Sequence, residues 1–250
     1  MGDEPKGARV QEGSGALRVI WDWTRSLVFA LMLFLVVRTF VVEAFKIPTS
    51  SMEGTLLVGD FLLVNKAAYG AEVPFLGVTL PTMKEPQRGD IVVFNPPHDP
   101  LKNYVKRVVG VPGDTLEMRK KTLYLNGVEM HEDFARYSDS SGADAVHPSM
   151  KWQSNHLLAM ETAPPHGRDR GRQYRPSRDN WGPLSVPEAN YFVLGDNRDD
   201  SEDSRYWGFV NRQAIRGQPW IVYYSFDASS EQRAPWLRSV RWDRVGGRIR

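Results

Sequence analysis

Between Val19 and Val42 the chain carries its only long apolar run, interrupted by Asp22, Arg25 and Arg38. As a helix those 24 residues would extend about 36 Å at about 1.5 Å per residue, enough to cross a hydrocarbon core of about 30 Å. Trp21 and Trp23 would then share one interfacial belt, and Arg38 could snorkel toward the opposite surface. Two other readings fit the uncharged part alone. Ser26 to Val37 is 12 residues, the length of a cleavable signal's apolar core or of a buried helix. Val42 and Ala44 even form a passable small-residue cleavage site, but Arg38 and Glu43 lie between the run and that site, which favours a retained span. Basic and acidic residues ahead of Ser26 balance at four each, and because topology follows Lys and Arg, the N-terminus is expected in the cytoplasm. Residues 1–18 therefore read as a flexible cytoplasmic tail, 19–42 as a transmembrane helix and 43–250 as an extracytoplasmic domain.

Beyond Phe45 the pattern changes to short β-branched or aromatic runs separated by Gly, Pro, Asn and Asp, the habit of an all-β domain. Gly59-Asp60, Gly89-Asp90 and Gly113-Asp114 each lead into an apolar run, and Thr122 to Val128 holds an Asn126-Gly127 turn that predicts a hairpin. Further strands are expected at Tyr191 to Leu194 and Trp220 to Phe226, with no helix of convincing period after the anchor. From about His131 to Trp181 the alternation fades amid seven basic and seven acidic residues and several prolines. This reads as an insertion, about 128–190, hung on the hairpin and partly a mobile loop. His131, His147, His156 and His166 fall inside it at spacings that match no metal motif, so they read as solvated loop residues. No metal and no cofactor are expected. A net charge of +2 gives no field that would draw nucleic acid, and the absence of cysteine excludes disulfides and thiolate chemistry.

Ile47-Pro48-Thr49-Ser50-Ser51-Met52 follows the apolar run closely and would present hydroxyls at a membrane surface. A serine nucleophile needs a base beside it. None of the histidines sits in a strand or tight motif, which leaves a neutral lysine. An ordinary lysine titrates near about 10.4, so at pH 7 only about one molecule in a few thousand is uncharged. Burial among apolar groups lowers that value by up to about 3–5 units. Of nine lysines, Lys106 lies in Tyr104 to Val109, where strand alternation puts Tyr104, Lys106 and Val108 on one face. Periodicity alone leaves two possibilities for it, an edge lysine in water or a desolvated base. Its neighbour Arg107 is excluded as a base because a guanidinium does not deprotonate in proteins.

Three segments together resemble the type I signal peptidases, membrane-anchored Ser/Lys endopeptidases. They are the Ser51-Met52 box, the stretch Tyr104 to Asp114, and the polar turn from Gly195-Asp196-Asn197-Arg198 through Ser201 and Asp203 to Arg205 and Gly208, in family order behind an anchor. The resemblance implies a mostly β fold: a single N-terminal transmembrane helix, then a β-rich Ser/Lys peptidase domain with an inserted subdomain. It implies Ser51 as nucleophile, Lys106 as general base, Ser201 as the hydroxyl that aims the amine, and the Thr49 hydroxyl with the Ser51 N–H as oxyanion donors. Gly195, Asp196, Asp203 and Arg205 match the structural box, read with Arg198 and Asp199 as an ion-pair scaffold. Gly54 stands where the family commonly has proline, so the sequence does not supply that loop's stiffness. The implied partners are signal peptides of exported preproteins, the lipid bilayer and, by proximity, the secretion translocon. The implied location is the inner membrane, single-pass, with the catalytic domain outside the cytoplasm.

Apolar residues around the box, Phe45, Ile47, Met52, Leu56, Tyr104 and Val105, are candidates to line pockets that accept small residues one and three positions before the cut. A substrate would add as an extended strand. Two rivals remain at this level. Self-cleaving Ser/Lys repressors share the β core but carry a DNA-binding helical domain, for which no helix-turn-helix pattern is present. An inactive membrane-anchored β scaffold that binds extended peptides would keep the fold without the chemistry.

Overall fold

The apolar run becomes helix α1, Gly13–Phe40, in the computed structural model of the chain, which describes residues 13–70, 72–73, 78–79, 82–139, 144–158 and 174–249. The helix begins inside the expected tail, because no proline interrupts Gly13 to Arg18, and ends before Val42, which already belongs to a strand. Its segment Arg18–Phe40 is long and apolar enough to cross a membrane, and its most apolar stretch is nowhere buried among the described residues, while its last residues, Thr39 and Phe40, are half-buried. Trp21 and Trp23 are about as bare as Leu27 and Phe29 further along the helix. A helix apolar on all sides and unpacked is stable only where lipid covers it.

After one turn residue, the chain runs through β1 (Val42–Lys46), β2 (Asp60–Asn65), β3 (Glu72–Val73), β4 (Val78–Thr79), β5 (Ile91–Phe94) and β6 (Tyr104–Gly110). It continues with β7 (Thr115–Arg119), β8 (Thr122–Leu125), β9 (Val128–Glu129), β10 (Trp181–Ser185) and β11 (Asn190–Leu194). The four-residue helix α2 (Ser204–Trp207), β12 (Val210–Asn211), β13 (Ile215–Ser225) and the short α3 (Pro235–Arg238) complete it. Seven strands form one antiparallel sheet in the order β1-β2-β13-β5-β6-β11-β12, and four form a second, β10-β7-β8-β9. β3 and β4 make a separate two-stranded ladder. The fold is mostly β behind an apolar helix, as the alternation and turn residues imply.

Each of the three Gly-Asp pairs does open a strand, at β2, β5 and β7. Asn126 and Gly127, both with positive φ, form the two-residue turn that sets Leu125 opposite Val128. All four residues of β5 are buried because both faces of the large sheet are covered there. Val92 and Phe94 join Val108, Tyr191 and Val193 on one side. Ile91 and Val93 join Ile47, Met52, Leu56, Leu62 and Val222 on the other. The loop after β1 is thus pinned by its own apolar residues, which fixes where Ser51 emerges.

Two expectations about strands need correction. β10 lies inside the stretch expected to be an insertion, yet it pairs with β7 and contributes the fully buried Trp181 and Leu184 to a third cluster with Leu116, Met118 and Phe192. Gly182 and Pro183 hid it, since both read as strand breakers. β13 begins five residues before the expected Trp220, its first half masked by Gly217 and Pro219 for the same reason. Of the histidines, His156 differs from expectation: it is half-buried with its ring 5.1 Å from that of Phe209. His147 is exposed, as a solvated residue would be, and lies edge-on to Tyr206 at 5.0 Å. His131 is exposed beside Asp133, and His166 lies outside the described residues.

Candidate active site

The turn after β1 and the strand β6 bring two side chains together across 55 residues of sequence: Lys106 Nζ donates to Ser51 Oγ at 2.5 Å. Strand alternation places Lys106 on the face of Tyr104 and Val108, with Val92 opposite it on β5. Its amine lies 5.9 Å from the centre of the Tyr104 ring, and the residue is 4% exposed. Burial pulls the amine down from 10.5 to about 8, with Asp203 opposing and Arg205 reinforcing the shift. Lys106 is therefore not an edge lysine in water: its amine is desolvated.

The Ser51 turn is held by hydrogen bonds rather than by a proline. Glu53 N–H donates to Ser50 O at 2.8 Å, and Thr55 and Leu56 N–H both donate to Met52 O at 3.1 and 2.8 Å. Gly54 has φ +107°, which proline cannot adopt. A Cβ there would also run into the Arg136 side chain, 2.3 Å from its Nε. Thr49 Oγ1 lies 3.5 Å from Ser51 Oγ. Among the described residues no acceptor meets the Ser51 N–H.

The polar turn of residues 195–205 packs under this pair. Asp203 takes Gly195 N–H at 3.1 Å, the Ser201 hydroxyl at 2.8 Å and a two-pronged contact from Arg205 at 2.8 Å on each oxygen. Burial pushes its carboxyl up, but the Arg205 charge and hydrogen bonds outweigh that and hold it below the usual range. The resemblance has the Ser201 hydroxyl accept the amine's hydrogen bond. The Ser201 proton goes to Asp203, a fully buried carboxylate that demands donors, which leaves the Ser201 lone pairs free to accept, and Lys106 donates to Ser51. Gly195 is where Ser201 and the Ser51 turn meet: a Cβ would lie 2.2 Å from Ser201 Oγ and 2.4 Å from Ser51 O.

Asp196 is buried and paired with Arg107 at 2.8 and 2.7 Å, and it accepts the Thr55 hydroxyl at 2.6 Å. Arg107 also stacks on Phe134, 4.0 Å from the ring centre. Arg198 is clasped by Glu132 at 2.6 and 2.7 Å, and Asp199 by Lys121 and Arg178. The sequence singled out the box charges but missed the braces Glu132 and Phe134 and the role of Arg107. One signal was available for Arg107: alternation sends it to the face opposite Lys106, where an arginine among valines requires a carboxylate.

A cleft of about 750 Å³ opens over Ser51 and Lys106. Phe45, Ile47, Met52, Tyr104 and Val105 line it, as expected, with Pro48, Val58, Lys102, Asp200 and Glu202. Leu56 does not. The tight turn from Met52 aims it inward, and it is wholly buried against Leu62 and Val93. Among the described residues Tyr104 to Lys106 have only β5 as a strand neighbour, since β11 pairs with β6 from Arg107 to Gly110. β1 likewise forms the edge of the sheet. Two edges with unpaired backbone groups therefore flank the cleft.

The sequence profile described as signal peptidase, peptidase S26, matches residues 20–224. A signal peptidase I from Pseudomonas aeruginosa is 38% identical over 218 residues, 82% of this chain and 72% of that one. One from Helicobacter pylori is 31% identical over 271 residues, covering 92% of this chain and 93% of that one. A solved signal peptidase I from Enterococcus faecalis V583 is 33% identical, covers 55% of this chain and 98% of that one, and superposes with a TM-score of 0.35.

Proposed function

The chain belongs to the signal peptidase family, peptidase S26, so it is a peptidase acting on signal-peptide-bearing proteins, and we propose that Ser51 is its nucleophile and Lys106 its general base. The observation that carries this reading is the 2.5 Å approach of a buried amine to the Ser51 hydroxyl. With the amine at about 8, roughly a tenth of molecules hold it uncharged at pH 7, several hundred times more than for an ordinary lysine. Such an amine can take the Ser51 proton as Oγ attacks the scissile carbonyl carbon. The oxyanion that forms accepts from the Ser51 N–H and the Thr49 hydroxyl. The Lys106 ammonium then gives its proton to the departing amine of the mature protein, leaving an ester on Ser51. Water, deprotonated by the same amine, hydrolyses the ester and restores the serine. Ser201 acts one step removed: it and Arg205 satisfy Asp203, whose negative charge steadies the lysine in its protonated phase.

The substrate enters as an extended strand between the two free backbone edges. Its small side chains, one and three positions before the cut, fit shallow pockets made by Phe45, Ile47, Met52, Tyr104 and Val105. α1 anchors the domain, and the single turn residue between Phe40 and β1 keeps the cleft next to the bilayer. In this reading residues 43–250 lie outside the cytoplasm, on the inner membrane near the translocon, where signal peptides emerge. Processing of a precursor by the detergent-solubilised full chain tests it. Ser51→Ala and Lys106→Ala should each abolish cleavage, and a Ser51→Ala protein that still processes would overturn it. A peptide-binding scaffold without catalysis would show no cleavage even for the unaltered chain.

A further inference from the structure

Asn197 sits in the polar turn, 5% exposed, and grips the nucleophile's backbone at two consecutive carbonyls. Its main-chain N–H donates to Ser51 O at 3.1 Å, and its side-chain Nδ2 donates to Ser50 O at 3.3 Å. Only the amide nitrogen can face a carbonyl, so the orientation of the Asn197 side chain is fixed by chemistry. Its other atom, Oδ1, is buried and meets no donor among the described residues.

The consequence follows from the planarity of the peptide bond. The Ser50 carbonyl and the Ser51 N–H belong to one trans peptide, so they point in opposite directions. The Ser50 carbonyl takes the Glu53 N–H at 2.8 Å within its own turn; the Asn197 amide at 3.3 Å is its second donor and ties that carbonyl to the polar turn, which leaves the N–H pointing the other way. A carbonyl that accepts a hydrogen bond also polarises its own peptide, which strengthens the N–H as a donor. The second bond, to Ser51 O, locks the following peptide and prevents the pair from rotating together. Asn197 is in turn steadied from behind. Arg136 N–H donates to Asp196 O at 2.7 Å and Arg136 O accepts from Arg198 N–H at 2.9 Å, a bridge that straddles Asn197.

We infer that Asn197 is a positioning residue for the oxyanion site: it aims and polarises the Ser51 N–H without touching substrate. The inference rests on Ser51 being the nucleophile. It differs from a general structural role because the Ser51 N–H matters only once negative charge develops on the substrate oxygen.

The test is steady-state cleavage of a peptide substrate by the full chain in detergent, with Asn197→Ala and Asn197→Asp compared with the unaltered protein. The alanine variant keeps the main-chain bond to Ser51. Should it fail to fold, the aspartate variant, of nearly the same size, carries the test, its carboxylate facing the Ser50 carbonyl. The expected result is kcat lower by about 10- to 100-fold, below the about 10²- to 10³-fold cost of deleting a donor outright, with KM within about threefold. A peptide aldehyde, whose adduct with Ser51 carries an oxyanion, should lose affinity by the same factor, and the matching peptide alcohol should lose none. In the alanine variant, which adds no charge, the midpoint of the pH profile should not move. Unchanged kcat, equal weakening of aldehyde and alcohol, or a shifted midpoint in the alanine variant would each overturn the inference. Ser51→Ala separates the two readings: if it is inert while Asn197→Ala has full kcat, only the role of Asn197 falls.

Discussion

Gly195 and Ser201 touch so closely that the glycine has no room for a methyl group: a Cβ would lie 2.2 Å from the Ser201 oxygen and also 2.4 Å from the Ser51 carbonyl. The contact ties the polar turn to the nucleophile's backbone. Gly195→Ala should therefore force the two apart. Overpacking of this kind costs about 1–3 kcal/mol, and misplacing a reacting group by about 1 Å can cost about 100-fold in rate. Thermal melting together with precursor cleavage should show a modest loss of stability and a loss of activity of at least about tenfold. A variant as active as the unaltered protein would mean the contact is not needed.

Lys106 should destabilise the fold wherever it is charged. Its folded value of about 8 lies below the ordinary 10.5, so between these the unfolded chain binds more protons and the contribution to stability rises with pH. Below about pH 8 the whole penalty is present, and above about 10.5 it has gone. Lys106→Met should accordingly be more stable than the unaltered chain at pH 6, by up to about 3 kcal/mol at about 1.4 kcal/mol per unit. The difference should shrink as pH rises through that window. Urea titrations at pH 6, 8 and 10 would show whether the gap closes.

Asp196 neutralises the buried guanidinium of Arg107 and accepts the Thr55 hydroxyl within the nucleophile's turn. Asp196→Ala strands a buried charge, which typically costs about 3–5 kcal/mol. The denaturation midpoint should fall accordingly, and activity at low temperature should fall with it because Thr55 loses its anchor. An unshifted midpoint would refute the role assigned to the pair.

Ile47 is almost wholly buried and still lines the cleft, so its side chain sets pocket depth. The unaltered chain should cut precursors with alanine at both small-residue positions about 10- to 200-fold faster than ones enlarged by a few methylenes. Ile47→Ala should narrow that ratio by accepting the larger residue. Equal rates for small and bulky precursors in the unaltered chain would remove the pocket hypothesis.

Much of the architecture was legible because it depends on local chemistry. Gly-Asp pairs precede β2, β5 and β7, Asn126-Gly127 makes its hairpin, and alternation along β6 sends Lys106 and Arg107 to opposite faces. What escaped depends on partners distant in sequence. β10 contains Gly182 and Pro183, and only pairing with β7 makes it a strand. Leu56 is near Ser51 in sequence, yet the turn at Met52 carries it into the core, which spacing alone does not reveal. Glu132 and Phe134 look like ordinary loop residues until Arg198 and Arg107 are seen against them. Asn197 is hidden for a different reason: its contribution lies in which carbonyls it reaches, and no residue pattern records that.

The central claim is that an uncharged, buried Lys106 activates Ser51, and the pH dependence of single-turnover cleavage in detergent tests it most directly. With the amine at about 8, the neutral form grows about tenfold per unit below that pH and saturates above it. The rate should climb accordingly from pH 6 and level off above about 8, while Lys106→Ala stays inert throughout. A rate that is flat from pH 5 to 9, or that is retained by Lys106→Ala, would contradict it.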